Sequence, residues 1–382
     1  MTAENEVSRR DFVKSSALAA MPLALGLPSI LSAKNPGDQA QVGFIGPGGR
    51  GSSLLASIIN QVSSSNVRVA AICDIDEGRL NTAIERSPGP KPDGYKDYRK
   101  LLERKDLDAV FIATPVYLHS EMAVAALEAG KNVYCEKPMG RTPQECRAVM
   151  DAVKKAGADK PTGGPKFQVG FQWRYQEVWQ RSIELVQKGE IGKVLFLKAQ
   201  RHTTGDLPRA TPWYFKRDLS GDIIVEQAVH EMNIFCWLLN AHAEKAAGLG
   251  GIGRFVDQPA GRSVMDHYSL CLEFPQGVRI SYSHCFFAPQ GFAGLHQHVY
   301  GEQGGIDLVD GVVHKDGKAT RLDVDRVDAT EAAIKHFFKC VHEDTPVLAN
   351  AEAGYRATMT AILGRTAIHS GKAVSMSDPA MS

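Results

Sequence analysis

From residue 41 the chain alternates apolar runs of strand length with stretches of helical spacing: QVGFI, SSLLASIINQV, VRVAAICD, DAVFIATP, HSEMAVAALEAG and KNVYCEKP. Unbroken apolar runs suit strands buried on both faces, and the intervening segments repeat apolar residues three and four apart, as helices covering such a sheet do. The alternation predicts a doubly wound α/β domain with a parallel sheet. It continues through the helix-like TPQECRAVMDAVKKAG and stops at the breaker-rich DKPTGGP. A first domain over 40–160 follows.

Beyond that boundary the rhythm changes. FQVGF and KVLFLKAQRH read as strands, and QEVWQRSIELVQKG reads as a helix between them. The long runs SVMDHYSLCLEF and VRISYSHCFF are separated by PQG and predict an antiparallel pair. The run AEAGYRATMTAILGRTAIHSG has helical spacing and a stop at Gly371. Residues 161–382 therefore predict an α+β domain with a large, mainly antiparallel open sheet, its C-terminal helix packing back on the first domain.

The N-terminus belongs to neither pattern. SRRDFVK at 8–14, with Arg9, Arg10, Phe12 and Lys14, precedes the uncharged SSALAAMPLALGLPSILSA. It resembles a bacterial twin-arginine export signal cleaved after Ala33. Pro22, Gly26 and Pro28 interrupt the apolar run, which argues against a membrane span, and no later segment reaches the roughly 20 apolar residues a span needs. The expectation is a soluble mature protein exported to the periplasm. Of 382 residues 43% are hydrophobic and 23% charged, an ordinary globular composition that excludes disordered and fibrous classes. Lys and Arg number 44 against 43 Asp and Glu, so nothing points to a nucleic-acid partner or an acidic membrane surface. The seven cysteines are scattered without a C-x-x-C pair and read as buried thiols, not as a metal site or disulfide frame.

Directly after the first predicted strand, Gly46, Gly48 and Gly51 stand in G-x-G-x-x-G spacing and open a helix, with Gly49 and Arg50 inside the turn. This context makes the motif a dinucleotide site: Gly46 permits the tight turn, Gly48 lets the backbone approach a pyrophosphate, and Gly51 lets helix and strand pack closely. Asp74 ends the second strand, where a carboxylate accepts hydrogen bonds from both adenosine ribose hydroxyls. NAD is thereby favoured. Arg79 nearby leaves NADP open as a partner for a 2′-phosphate.

Taken together, ATPVYLHSEMAVAALEAGKNVYCEKP and the following MG resemble the Gfo/Idh/MocA oxidoreductases, the family of glucose-fructose oxidoreductase and inositol dehydrogenase. The resemblance runs from about residue 41 to the C-terminal GKAV. It implies that Lys137 of E-K-P lies beside substrate and nicotinamide, with Glu136 and Pro138 shaping the turn, and that Thr114, Pro115 and His119 flank the nicotinamide ribose. A second signature of the family, a carboxylate four residues before a histidine, falls on Glu226 and His230. That spacing places both on one helix face. Glu226 stands where aspartate is commoner, and Asn233 where many relatives carry another aspartate. Arg174 of FQWRY, His202 at a strand end, and Trp213 and Tyr214 of TPWYF are further candidates for contact with a sugar ring. His296 and His298 share one strand face without a carboxylate at matching spacing, so no metal is expected.

The family resemblance implies hydride transfer at a secondary alcohol or ketone of a sugar, glycoside or polyol, with Lys137, His230 and Glu226 at the reacting carbon, in a homo-oligomer of two or four copies. Export removes the chain from free nicotinamide pools, which favours a tightly held NAD and a redox-neutral cycle. An ordinary dehydrogenase with dissociable cofactor, an NAD-dependent glycosidase working by oxidation and elimination, and a non-catalytic sugar- or nucleotide-binding protein on the same fold stay open as alternatives.

Overall fold

The computed structural model describes residues 39–206 and 211–382, so the twin-arginine segment lies outside the described residues. Six parallel strands form the first sheet: β1 (Ala40–Ile45), β2 (Val67–Cys73), β3 (Asp93–Tyr95), β4 (Ala109–Ile112), β5 (Asn132–Cys135) and β6 (Phe167–Val169), in the order β3-β2-β1-β4-β5-β6. Their side chains are buried almost throughout β1, β2, β4, β5 and β6, which is why the sequence shows continuous apolar runs. The strand order reverses between β1 and β4, and such a switch point opens a crevice at the carboxyl ends of the strands. The expected boundary at 160 falls before the last strand of this sheet, because Phe167–Val169 pairs with β5 and does not join the second sheet.

The second sheet has nine strands: β7 (Val194–His202), β8 (Lys245–Gly251), β9 (His267–Glu273), β10 (Arg279–Cys285), β11 (Gly294–Gly301), β12 (Gly304–Asp307), β13 (Val312–Lys315), β14 (Lys318–Arg321) and β15 (Val374–Ser375). Neighbours run antiparallel except β7 and β10, which are parallel and place His284 opposite Arg201. Burial alternates along β9 and β10, so one face is covered and the other open. Helices Glu177–Gln187, Val229–Leu239 and Ala351–Ser370 supply much of the core on the covered side. Cys271 and Cys285 lie on open-face positions, exposed and partly exposed, so only five of the seven thiols are buried as expected.

Two C-terminal helices return to the first sheet. Ala351–Ser370 packs on helix Pro143–Ala156 and on β6, where Gly354 closes against Met139 and Val169 and the Thr358 hydroxyl accepts from the Met139 amide at 3.3 Å. Ala329–Glu343 covers the opposite side. Its Ile334, Phe337 and Phe338 complete a second core with Phe44, Phe111 and Tyr134, in which the Phe111 and Phe337 rings meet edge to face at 5.4 Å. The nucleotide-type fold thus depends on residues nearly 300 positions downstream of its first strand.

Candidate active site

The carboxyl ends of β1, β2, β4 and β5 open into a cleft of about 980 Å³ that continues onto the end of β7 and the chain around Trp213, Glu226 and His230. That volume suits a dinucleotide and a small substrate together. At one end Gly46 turns with φ +85°, a conformation that disfavours any side chain. A Cβ at Gly51 would lie 1.9 Å from the Gly46 carbonyl oxygen, so only glycine lets helix Gly49–Asn60 approach β1 this closely. Gly48 caps that helix without a side-chain hydrogen bond, and the first-turn N–H groups are left to face an anion. Gly46, Gly48, Gly49 and Arg50 line the cleft, whereas Gly51 lies behind it as the packing contact. The cradle fits a dinucleotide pyrophosphate.

Asp74 lines the cleft at the end of β2 and accepts the Asp76 amide at 2.9 Å on one carboxylate oxygen. Burial holds its carboxyl above the usual aspartate range. Arg79 and Lys96 line the same end. Thr114, Pro115 and His119 follow β4 along the cleft wall. The two ring nitrogens of His119 lie 2.9 Å from the Thr114 carbonyl and 2.8 Å from that of Pro138, so the ring ties the β4 loop to the E-K-P turn. Burial lowers its pKa. With both nitrogens set against carbonyl oxygens, of which the neutral ring donates to one, the histidine shapes the ribose wall.

Glu136 is similarly engaged: Arg50 Nε donates to its Oε1 at 2.9 Å and Arg50 also donates to the Thr330 hydroxyl at 3.2 Å. The dinucleotide turn is thereby pinned to the residue preceding Lys137. Gly170 makes room for this carboxylate, since a Cβ there would come within 2.9 Å of it.

Lys137 Nζ donates to the Glu226 carbonyl at 2.6 Å and to Glu226 Oε1 at 2.9 Å. The Tyr214 hydroxyl and the Gln227 amide both donate to Glu226 Oε2. Burial alone would raise the Glu226 pKa, but the Lys137 charge and these hydrogen bonds outweigh it and hold the carboxyl below its usual range. His230 is the opposite case. Burial, reinforced by the positive charges of Lys137, Arg201 and Arg50, drives its pKa well below the usual imidazole value, so the ring is neutral. The Trp173 ring stacks on it at 5.0 Å and Phe171 meets it edge-on. Its Nδ1 is enclosed without a partner, which leaves Nε2 as the nitrogen presented to the cleft.

Lys137, Glu226 and His230 therefore meet at one point, though not by the route the spacing suggests. Glu226 ends the short helix Asp222–Glu226, Gln227 and Ala228 interrupt the helix, and His230 lies in the first turn of Val229–Leu239. Trp213 and Tyr214 line the cleft, the latter with its hydroxyl committed to Glu226.

Two sequence candidates do not reach the cleft. Arg174 is buried beneath it, donating to Asn233 Oδ1 at 2.8 Å and the Leu348 carbonyl at 3.3 Å with its guanidinium over Trp237; burial brings its pKa down to about 10. His202 is displaced by strand parity: Leu197, Ala199 and Arg201 point to the covered side of β7, so His202 points to the open face, where it contacts the Ser283 hydroxyl at 2.9 Å. His296 and His298 share that open face, and His298 is 3.2 Å from Asp307. Sequence reasoning passed over Gln172, Asp206 and Gln227, which line the cleft. Gln172 Oε1 and Asp206 Oδ1 are enclosed acceptors without a hydrogen-bond donor.

Comparison with known proteins finds two family models along the chain, one described as oxidoreductase family, NAD-binding Rossmann fold, over residues 40–159, and one as the GFO/IDH/MocA C-terminal domain, over 179–307. Inositol 2-dehydrogenase of Salmonella typhimurium is 33% identical over 201 residues, 52% of this chain and 54% of that protein. The match thus spans about half the length of that relative. Inositol 2-dehydrogenase 2 of Saccharopolyspora erythraea is 30% identical over 274 residues, 70% of this chain and 72% of that protein. Among solved structures, an oxidoreductase domain protein from Kribbella flavida superposes with a TM-score of 0.77 at 21% identity, covering 89% of this chain and all of that one. Scyllo-inositol dehydrogenase from Lactobacillus casei, solved with NAD(H) and scyllo-inositol, gives 0.74 at 18% identity over the same shares. At such identities these structures speak for the fold.

Proposed function

Since the chain belongs to the Gfo/Idh/MocA oxidoreductase family, we propose that it catalyses NAD-dependent hydride transfer at a secondary alcohol or ketone carbon of a polyol or sugar. The observation that carries this reading is the meeting of Lys137, Glu226 and a neutral His230 in a cleft that also holds the dinucleotide cradle. Bound NAD supplies the hydride acceptor, and in the reverse direction the donor.

The first turn of helix Gly49–Asn60 takes the pyrophosphate and Asp74 the adenosine ribose. Two of the three Lys137 ammonium protons are committed to Glu226, and the third is directed to the substrate oxygen. His230 accepts the hydroxyl proton at Nε2, in the tautomer that keeps hydrogen on Nδ1. Glu226, tied by Tyr214 and Gln227, holds the lysine in place.

Arg9, Arg10 and the apolar run after them support a second part of the proposal, export by the twin-arginine route with NAD retained through a redox-neutral cycle. A third part is homo-oligomerisation through the open face of the second sheet, where Phe196 and Tyr300 form an exposed pair 5.8 Å apart and Leu249 is 75% exposed. Denaturing the dialysed chain and quantifying released nucleotide by mass spectrometry tests retention: stoichiometric NAD(H) supports it, and a nucleotide-free protein active only with added NAD ends it. Light scattering showing a monomer at working concentration would end the third part.

A further inference from the structure

Among the described residues, Arg201 is the one guanidinium at the substrate end of the cleft that is not fully engaged. It leaves the covered face of β7 to line the cleft, with its guanidinium carbon 5.8 Å from the centre of the Trp173 ring, and the charge of Arg201 acts on His230 directly. Its single hydrogen bond is a long one, from one terminal nitrogen to Glu231 Oε1 at 3.5 Å. Nε and the other terminal nitrogen have no protein acceptor, yet neither is enclosed, so these donors open on the cleft. A guanidinium presenting two parallel donors matches a carboxylate, bidentate and charge-assisted.

The surroundings keep that positive charge available. Glu231, wholly buried, is the only carboxylate in contact with Arg201 among the described residues, and its Oε2 has no partner. Burial raises the Glu231 pKa against the pull of Arg201, which weakens the internal competitor for the guanidinium. Tyr268, Tyr282 and His284 enclose the pair from β9 and β10 and bring no charge, since burial keeps both phenols protonated and the imidazole neutral. The remaining carboxylates of this end are taken: Glu226 by Lys137, and Asp206 by the enclosed Arg262 at 2.6 Å.

We infer that Arg201 is a specificity-determining residue that receives a carboxylate on the substrate, so that the preferred substrates are acidic sugars of the uronate or aldonate class, with Glu231 acting as the positioning residue that aims the guanidinium. This inference rests on the oxidoreductase reading and narrows its substrate class. Trp213 and Tyr214 then flank the sugar ring.

The test uses the full chain loaded with NAD and two matched pairs, D-glucuronate against D-glucose and D-gluconate against sorbitol, followed by NADH absorbance for reduction of the bound nucleotide and by calorimetry for binding. In the wild type at least one acid of the panel exceeds its neutral partner by about tenfold or more in the rate of nucleotide reduction or in affinity, the scale of one charge-assisted pair. Arg201→Met removes the preference while neutral polyols keep their affinity, Arg201→Lys restores part of it, and Glu231→Gln lowers affinity for the acid with nucleotide binding unchanged. Equal handling of acid and neutral partners by the wild type, or an Arg201→Met variant that weakens both alike, overturns the inference and leaves hydride transfer standing. A chain that binds no nucleotide fails the oxidoreductase reading itself, and the inference falls with it.

Discussion

Replacing Glu226 by glutamine isolates the contribution of charge at the centre of the site. The change preserves the shape that receives Tyr214 and Gln227 but leaves the Lys137 ammonium, whose side chain is 12% exposed, facing a neutral amide. Removing one member of a buried ion pair costs about 3–5 kcal/mol, because the remaining charge stays desolvated. With an unfolding entropy of about 2.1 cal/mol/K per residue over roughly 340 described residues, each kcal/mol corresponds to about 1.4 °C. Glu226→Gln should therefore lower Tm by about 4–7 °C at pH 7, at matched nucleotide loading in a calorimetric scan. Adding Lys137→Met removes the stranded charge and should recover most of that loss, so the double-mutant cycle reports a coupling of several kcal/mol. Hydride transfer should stay low in both variants. A single variant within about 1.5 °C of the wild type would show that the pair is solvated like a surface salt bridge, and the account of Lys137 and Glu226 as a desolvated ion pair would be wrong.

Acid sensitivity follows from His119, His230 and His284, each buried and each held by burial below the usual value of 6.5. Their folded pKa values lie under the unfolded one, so the unfolded chain takes up protons first as pH drops. Stability is full above about pH 6.5 and falls below it, by up to about 1.4 kcal/mol per pH unit for each histidine. His284→Phe should flatten the slope between pH 6 and 5 by one proton in equilibrium unfolding; an unchanged slope would remove His284 from the set. Gly51→Ala forces helix Gly49–Asn60 away from the Gly46 carbonyl and should cost about 1–3 kcal/mol and at least tenfold in NAD affinity, measured by tryptophan quenching; full affinity would contradict the close packing. Asp74→Ser beside Arg79 and Lys96 should shift the NADP to NAD affinity ratio upward by about tenfold or more, and an unchanged ratio would take Asp74 out of the ribose site.

β1, β2, β4 and β5 were legible because they are buried on both faces and announce themselves as apolar runs, whereas the exposed, polar β3 was not and β6 was read into the second domain; the glycine turn was legible because Gly46 and Gly51 answer to backbone sterics alone. Helix Ala329–Glu343 was not, although its Ile334, Phe337 and Phe338 are spaced for a helix, because nothing local says that their partners are Phe44 and Phe111. Lys137, Glu226 and His230 were found by motif, and the structure brings them together across a break at Gln227 and Ala228 that spacing does not reveal. Arg174 and His202 failed for different reasons. A lone arginine beside aromatic residues reads the same whether it meets a ligand or, as here, Asn233 and Trp237. His202 needed the phase of β7, which is settled by the burial of Leu197 and Ala199 one and two alternations earlier. Gln172 and Gln227 carry no sequence signal, since an amide acquires its meaning only from the donors and acceptors that tertiary contacts place around it.

The central claim is that the cleft carries hydride between a polyol carbon and NAD with His230 as the base. The most direct measurement mixes the purified chain and NAD with C-deuterated inositols, sugars and sugar acids and follows deuterium into the nicotinamide by mass spectrometry, comparing wild type with His230→Asn. The account predicts label in the nucleotide for the wild type and a loss of about 10²-fold or more in the variant with nucleotide affinity retained. Nucleotide binding without label transfer from any compound in the panel, or equal transfer by the variant, would contradict it.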